Sequence, residues 1–505
     1  MTTKGSYRQI LKSSSIMGGA AGISMLFGIL RTKVAALLIG SAGVGMLANL
    51  TVIQSLMTTV VGLGIQSSAV QEIAKSETSR DQLAIDRTLL TLNRFCLIAG
   101  LSGAAIMATL SHTFSLWMFN SAAYASEIAW LGITIFFGVL STGQLAMIQG
   151  ARRIGDLARA NVITAGCGTL IAVGCYSWLG IDGILPTLLL MSVLQLIVTW
   201  LYSRHIFSQS TKISWTESFR EASGMMQLGI SLMWSALLVN IVSYVTNILI
   251  THQIGLKAVG INSAAFALSG MFVNFVLNAM GADYYPQLTS LAPDKAAMNN
   301  LVNEQTEIGL LLAVPGLLAT LSLAPWIIHI FYSVEFLQAA SLLQWFILGC
   351  LIRVIQWPMG FLQLTFLKGR WFFITQTTLN AIHLSLIWTG ITLFGIEGVS
   401  MAFFSLYVVS LGLIYLVAMH LTDFSWNSSC RKLLMIVIPV VATTFTIVRI
   451  LPLWPSTILG IATTVISSVL CLRGLIYRIG NDHRLIQAAC KIPGMRTVCD
   501  LKTEQ

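Results

Sequence analysis

Charged residues are scarce in this sequence. They make up 10% of its 505 residues, whereas hydrophobic residues make up 56%. Soluble proteins of this size carry roughly 25% charged residues, and the mean hydropathy here is +0.81. Apolar stretches of about 20 residues, long enough to cross ~30 Å of hydrocarbon, recur along the whole chain. The sequence therefore predicts an all-α polytopic membrane protein, without a separate soluble domain.

Metal-binding and catalytic motifs are also lacking. The eight cysteines show no CxxC spacing, and in the topology below none lies in an external loop, so we expect neither a disulfide nor a metal site. Walker A, GxSxG and HExxH sequences are absent, and the seven histidines are scattered. These patterns carry most phosphate-binding, serine-hydrolase and zinc-protease chemistry. We therefore expect no cofactor and no enzymatic activity.

An internal repeat organises the chain. Residues Ile39–Gly45 recur as Ile254–Gly260, and Gly180–Gly183 recur as Gly395–Gly398, both at an offset of 215 residues. Two motif pairs in one register indicate a duplicated unit. Duplicated membrane halves usually hold a substrate site at their interface, which favours a transporter.

Fourteen membrane spans are predicted, six in each repeat and two beyond it. Lysine and arginine gather on one side of these spans, and only Lys257 lies in an outer loop, so both termini are expected in the cytoplasm. The same rule accounts for the net charge of +10 without a nucleic-acid partner. The longest outer loop is expected at Ser111–Ala123. The spans lie near 12–37, 43–66, 88–110, 124–149, 156–178, 183–203, 224–252, 258–281, 304–324, 337–362, 371–393, 398–419, 432–451 and 455–477.

The spans divide into four predicted regions. An N-terminal lobe of six spans covers residues 1–210, and a C-terminal lobe of six spans covers 211–422. A helix pair follows at 423–480, and a basic cytoplasmic tail covers 481–505. Because each repeat has an even number of spans, the symmetry axis of the repeats is expected along the membrane normal.

Polar residues recur at helical spacing within several spans, so that each set falls on one helix face. Such side chains either join helices by hydrogen bonds or line a water-filled cavity. The aligned sets together favour a cavity. The candidate lining residues are Asn49, Gln54, Asn240, Tyr244, Asn247, Asn274, Asn278, Gln356, Gln363, Gln376, Asn380 and His383.

The cations Arg31, Lys33, Arg353 and Arg449 lie within predicted spans, where each costs roughly 2.5–3.5 kcal/mol on insertion scales. Arg353 lies on the polar face of the tenth span, and Arg31 shares a face with Ser24 and Gly28. Lys33 lies about 200° from Arg31 on a straight helix, so the two are not expected in one cavity. We assign Arg31, Lys33 and Arg353 as candidate substrate-binding cations. For Lys33 a packing or snorkelling role stays open.

Carboxylates show the opposite pattern. None is expected in the middle third of a span, whereas a transporter of cationic drugs should present buried aspartate or glutamate. Guanidinium groups pair well with phosphate, and amides pair well with sugar hydroxyls. The predicted cavity therefore suits an anionic, hydroxyl-rich substrate. Arg449, near the outer end of the thirteenth span, is expected to be a snorkelling anchor.

Four stretches resemble the Wzx family of flippases, which move lipid-linked O-antigen and related oligosaccharides and belong to the multidrug/oligosaccharidyl-lipid/polysaccharide (MOP) exporter superfamily. Together they cover parts of both repeats, and the resemblance runs over most of residues 10–420. The third stretch and the turn after it are similar to the branch that flips enterobacterial common antigen. The stretches are Arg31–Leu50, Gly62–Ala74, Glu335–Arg353 and Lys368–Arg370.

The resemblance implies a fold and a cargo. The two six-helix lobes would face each other in a V around a cationic cavity and rock between inward-open and outward-open states. The cargo would be an oligosaccharide on undecaprenyl pyrophosphate, flipped across the bacterial inner membrane for O-antigen, common antigen, capsule or exopolysaccharide assembly. Lys33 matches a basic position of the common-antigen branch. Arg31 matches the arginine of an Arg-Asp pair in lipid II flippases, but Thr32 replaces that aspartate and argues against lipid II.

The implied partners are the lipid-linked oligosaccharide, membrane lipids, and a polysaccharide polymerase with its chain-length machinery; the protein itself is expected to be a monomer. Three other interpretations stay open. A cation-coupled drug or metabolite antiporter of the same superfamily predicts carboxylates in the core. A membrane polymerase or ligase predicts a large external loop with catalytic arginine or histidine. A scaffold without transport predicts no polar faces. The glycan and the coupling ion are not determined by the sequence.

Overall fold

The computed structural model describes residues 3–79, 82–206, 214–366 and 369–479. Within these residues the chain forms sixteen α-helices and three short 3-10 helices, with no β-strand, which confirms the all-α prediction. The 3-10 helices are Ala122–Tyr124, Gly180–Gly183 and Val334–Phe336. The α-helices are α1 (Thr3–Leu38), α2 (Gly40–Gly62), α3 (Ile65–Ser79), α4 (Gln82–Phe119), α5 (Ala125–Gly150), α6 (Ile154–Leu179), α7 (Ile184–Ser203), α8 (Trp215–Gln253), α9 (Leu256–Ser290), α10 (Lys295–Ser322), α11 (Ala324–Phe331), α12 (Ala339–Phe366), α13 (Gly369–Phe394), α14 (Glu397–Thr422), α15 (Ser428–Ile450) and α16 (Leu453–Ile479).

Thirteen helical segments in the described part of the chain are long and apolar enough to cross a membrane. One of them, Ile154–Ser203, contains both α6 and α7. Each of the fourteen predicted spans therefore corresponds to one helix. The sequence did not predict α3 or α11, because α3 is polar and α11 has only 8 residues.

The predicted outer loop at Ser111–Ala123 is wrong, because α4 continues through Phe119. Residues 111–119 contain neither glycine nor proline, so nothing in this segment ends the helix. The helix stops at Asn120, whose φ of 52° is in the left-handed region. Only two residues separate α4 from the following 3-10 helix. The structure therefore leaves even less chain outside the helices here than the sequence predicts.

The duplication is visible in the backbone. Gly40 and Gly255 have φ values of 64° and 116°, and Gly180 and Gly395 have φ values of 57° and 61°. Each of these four glycines lies between two helices or is the first residue of the second one. Glycine adopts this conformation without the steric penalty of a Cβ atom. The repeated motifs thus mark equivalent helix–helix turns in the two halves.

Close helix contacts recur at the same offset. A Cβ atom on Gly183 would overlap the carbonyl oxygen of Cys175, and one on Gly398 would overlap that of Gly390. These contacts join α6 to α7 and α13 to α14, so the two hairpins pack alike. Both pairs are related by the repeat, which supports one ancestral unit.

Backbone packing divides the chain into two compact units. The first comprises Met1–Ile261 with Phe331–Glu335, and the second comprises Asn262–Ile330 with Phe336–Gln505. In the first unit, α8 packs against α2, α3 and α4. The four predicted regions follow the duplication rather than this packing, and their boundaries stay predictions. The basic tail, with Cys490 and Cys499, lies outside the described residues.

The second unit has a core at one end of α9, α10, α12 and α14. Tyr284, Leu288, Met298 and Met359 are each at most 1% exposed there. The Tyr284 hydroxyl donates to the carbonyl oxygen of Pro358 at 2.8 Å. In the same unit, α15 and α16 pack against α10, so the two helices beyond the repeat attach to the C-terminal half.

Candidate functional site

A cavity of about 410 Å³ lies within the first unit. It is bordered by α1, α5, α6 and α7, and apolar side chains such as Met191 form part of its wall. Among the described residues, Arg31 is its one cationic lining residue, and no acidic residue lines it. The polar lining residues are Ser24, Arg31, Asn161, Thr164, Gln195 and Thr199.

The Arg31 guanidinium has no carboxylate partner in the described part of the chain. Its Nη1 donates to the Met191 sulfur at 3.7 Å, and a thioether is a weak acceptor. Nearby, the Ser24 hydroxyl is buried without a hydrogen-bond partner. A cation held in a membrane helix without a counter-charge is costly and is usually functional. The cavity is therefore suited to an anionic group.

Amides and hydroxyls accompany this cation. The Thr199 hydroxyl lies 2.5 Å from Gln144 Oε1 and 2.8 Å from the Gln195 carbonyl oxygen. Asn161 and Thr164 on α6 also line the cavity. Such groups can hydrogen-bond sugar hydroxyls.

The sequence predicted only some of the residues that line the Arg31 cavity. It predicted a shared face for Arg31 and Ser24, which the cavity confirms. It missed the polar residues of α6 and α7. Asn161 and Thr164 are three residues apart, and Gln195 and Thr199 are four apart. The helical-spacing rule, applied to the fifth and sixth spans, would have found both pairs.

The second unit contains another predicted substrate-binding cation, Arg353. It is half-buried in α12, and no ion pair to it is formed among the described residues. It lies close enough to Tyr407 and Cys350 to influence both electrostatically. The Tyr407 ring packs on Phe403 at 4.8 Å, and His383 lies 6.5 Å from Phe403. Helices α12, α13 and α14 thus bring Arg353 together with an aromatic cluster.

Several predicted cavity residues are engaged in helix contacts within the first unit. Lys33 Nζ donates to the carbonyl oxygen of Tyr332. Asn49 is fully buried, and its Nδ2 donates to Thr251 at 3.1 Å. Asn240 Nδ2 donates to Thr59 at 2.9 Å. These contacts correspond to the helix-joining role that the sequence left open, and substrate binding by these residues stays a prediction.

The other predicted lining residues differ in exposure. Tyr244, Asn247 and Gln363 are buried, whereas Asn274 and Asn278 are exposed on α9 and Gln54 is half-buried on α2. In α13, Asn380 Nδ2 donates to the Gln376 carbonyl oxygen at 2.8 Å. The buried side chains keep unsatisfied atoms: the Tyr244 hydroxyl, Gln356 Oε1 and Gln363 Nε2 have no hydrogen-bond partner.

One carboxylate within a candidate span is buried. Glu307 lies in α10, near the inner end of the ninth predicted span, and is only 5% exposed. It accepts from Arg478 Nε at 2.5 Å and from the Ser429 hydroxyl at 3.2 Å. Arg478 of α16 thus supplies the counter-charge and Ser429 of α15 adds a hydrogen bond, so Glu307 is not a free site for cations.

Arg449 is also paired, which the sequence did not predict; its role as a snorkelling anchor stays a prediction. Its Nη2 lies 2.9 Å from Glu397 Oε2. Its guanidinium lies 5.7 Å from the Trp345 ring and 5.5 Å from the Phe445 ring. This contact ties α15 to the start of α14.

A family model described as "Polysaccharide biosynthesis protein" matches residues 34–341. The chain belongs to this polysaccharide biosynthesis family. No curated protein matches the sequence significantly. Membership of the polysaccharide biosynthesis family agrees with the resemblance seen in the sequence, and it does not specify the glycan.

Solved structures show the fold of this family member. The lipid II flippase MurJ in an inward closed conformation has a TM-score of 0.65 at 15% identity, covering 91% of this chain and 99% of that chain. An inward-facing multidrug resistance MATE family transporter of the MOP superfamily has a TM-score of 0.61 at 15% identity, covering 80% and 96%. A MOP superfamily transporter from Pyrococcus furiosus, whose binding pocket is described as having reversed polarity, has a TM-score of 0.56 at 15% identity, covering 81% and 96%. At this identity the likeness establishes the MOP fold alone, as the sequence predicted.

Proposed function

We propose that this protein is a flippase for an oligosaccharide repeat unit linked to undecaprenyl pyrophosphate. It moves this lipid from the cytoplasmic to the periplasmic leaflet of the bacterial inner membrane by alternating access, with both termini in the cytoplasm and without a cofactor. The translocated lipid-linked repeat unit is then used in surface polysaccharide assembly. The protein works as a single chain that delivers to a polymerase and its chain-length machinery.

The observation that carries this proposal is the un-neutralised guanidinium of Arg31 in a cavity lined by amides and hydroxyls. A pyrophosphate cannot enter hydrocarbon without a large desolvation cost. A guanidinium offers it paired, charge-assisted hydrogen bonds. Arg353 in the second unit also lacks an ion pair among the described residues, and it is a second candidate cation for an anionic cargo.

The antiporter alternative is favoured by one residue. Glu127, in the first turn of α5, has a buried Oε2 atom without a hydrogen-bond partner. A free carboxylate is what a proton-coupled or sodium-coupled carrier of cations requires. The helix N-terminus nevertheless stabilises a carboxylate at this position by itself, so Glu127 supports coupling less strongly than Arg31 supports an anionic cargo.

The test is a strain that lacks the protein. Lipid-linked sugars are extracted and their masses are measured by mass spectrometry. A periplasmic glycan-modifying probe reports which leaflet they occupy. We expect complete repeat units on undecaprenyl pyrophosphate to accumulate, inaccessible to the probe. Intact surface polysaccharide without accumulation, together with altered drug susceptibility that Glu127→Gln reproduces, would instead establish the antiporter.

A further inference from the structure

The helix break between α2 and α3 is a distinctive feature of the first unit. Leu63 and Gly64 have φ values of 44° and 66°, so the chain leaves the helix at Gly62 and re-enters one at Ile65. A Cβ atom on Gly64 would overlap the carbonyl oxygen of Gly229 in α8, which holds the break against that helix. Irregular backbone in membrane proteins is tolerated where it is buried in protein or lines a cavity. Transporters often place ligand sites at such discontinuous helices.

A cavity of about 240 Å³ adjoins this break. It is lined by α2, α3, α4, α5 and α8, and it shares no lining residue with the Arg31 cavity. Its polar lining residues are Thr58, Thr59, Gln66, Ser67 and Thr142, and none of the lining residues that the structure describes is charged. The two cavities of this unit therefore differ in electrostatic character.

Three of these polar side chains have open hydrogen-bonding groups. Threonines in the helices of this protein usually donate to a carbonyl of the preceding turn, as Thr59 does to Ser55 at 2.8 Å. Such bonds satisfy a hydroxyl within its own helix. By contrast, the side chains of Thr58, Gln66 and Thr142 make no hydrogen bond to any described residue, although each is only half-exposed and lines the cavity. Their donors and acceptors are available to a ligand.

We infer that this cavity is a subsite for one uncharged sugar ring of the cargo. Hydroxyls and an amide match sugar hydroxyls, and Ile65, Val139 and Met233 offer apolar surface to the face of the ring. The volume is below the roughly 300–1,000 Å³ of pockets for drug-sized ligands, which suits one ring rather than a whole oligosaccharide. Without a carboxylate among its lining residues, the site offers nothing to neutralise a bare cation.

The inference rests on the proposed function. It assigns two parts of the cargo to two different cavities. Arg31 would hold the pyrophosphate, and the neutral cavity would hold a sugar. The break lies at the end of α2 that the charge pattern assigns to the cytoplasm. The sugar would therefore be engaged on the side where the lipid-linked glycan is loaded.

The experiment compares two lipids on the full-length protein in lipid nanodiscs. One is the lipid-linked oligosaccharide extracted from a strain that lacks the protein, and the other is undecaprenyl pyrophosphate without a glycan. Thr142→Val removes the hydroxyl at nearly constant shape. We expect it to raise the Kd for the glycan-bearing lipid about fivefold to tenfold, the usual effect of losing a hydrogen bond to a ligand, and to leave the Kd for the glycan-free lipid unchanged.

Two variants complete the experiment. Thr142→Ser keeps the hydroxyl and should bind both lipids like the wild type. Thr443→Val, on an exposed face of α15 where the hydroxyl bonds its own helix, should also change neither Kd. Unchanged binding of the glycan-bearing lipid to the Thr142→Val protein, or equal weakening of both lipids, would overturn the sugar subsite and leave the flippase proposal standing. A wild-type protein that binds neither lipid would overturn the flippase proposal itself, and the subsite with it.

Discussion

Two pairs of arginines in this protein share a chemical group but differ in their surroundings. Arg478 and Arg449 lie 2.5 Å and 2.9 Å from the carboxylates of Glu307 and Glu397. Arg31 and Arg353 have no carboxylate partner within the described ranges of the chain. All four lie in candidate membrane spans. We expect the uncompensated arginines to act in transport and the paired ones to act in stability.

Arg353→Ala should have the largest effect on activity. We expect it to abolish transport while protein level in the membrane stays near normal, because no protein carboxylate loses its partner. Accumulation of lipid-linked repeat units in the variant strain measures transport, and an immunoblot of membranes measures the protein. Arg31→Ala should act in the same way. Full activity of the Arg353→Ala protein would show that transport does not need the uncompensated charge of Arg353.

Arg478→Ala should instead act on stability. It leaves Glu307 buried without a counter-charge, and breaking a buried pair in this way costs about 3–5 kcal/mol. Arg478 is itself 26% exposed, so we expect the lower end of this range. Thermal unfolding of the purified protein in detergent should show a clearly lower Tm.

A double variant separates pairing from a direct role in transport. Glu307→Gln together with Arg478→Ala removes both charges and should recover most of the lost Tm and the activity. If the double variant is stable but inactive, Arg478 or Glu307 contacts the cargo or a coupling ion. A paired charge would then also act in transport, as is expected for Arg31 and Arg353.

These four arginines also show which features can be predicted from the sequence and which cannot. Hydropathy and the repeated glycine motifs predicted all fourteen spans and the duplication, because both depend on local composition. The partners of Arg449 and Arg478 lie 52 and 171 residues away, and no local pattern indicates them. Helical spacing would have indicated the polar pairs on α6 and α7, but their position beside Arg31 is a long-range contact that no local pattern indicates. The sequence missed α3 because it is a polar helix rather than a span.

Arg449→Ala should have a smaller effect. Arg449 and Glu397 are each 30% exposed at the side chain, and partly exposed ion pairs contribute about 0–1 kcal/mol. The rings of Trp345 and Phe445 add cation–π contacts of about 0.5–1 kcal/mol at such sites. We expect a small decrease in Tm and nearly normal transport. Loss of transport in a stable Arg449→Ala protein would place Arg449 with Arg353 rather than with Arg478.

Glu335 extends the comparison to a carboxylate that binds backbone instead of arginine, and its effect should be the smallest. It lies outside the candidate spans and accepts from the Ser41 backbone N–H at 3.0 Å, at the start of α2. Hydrogen bonds from Ser41, with a smaller attraction from Lys257, hold the pKa of Glu335 below its ordinary value of 4.5. A carboxylate whose pKa is lower in the folded protein stabilises it above the unfolded pKa and loses this contribution as pH falls through the folded value. Glu335→Gln should therefore lower Tm slightly at neutral pH and reduce the further loss of Tm below about pH 4.5. An unchanged dependence of Tm on pH in the Glu335→Gln protein would mean that water replaces the carboxylate at Ser41 without cost. The contact between Glu335 and Ser41, unlike the Glu307–Arg478 pair, would then not depend on charge.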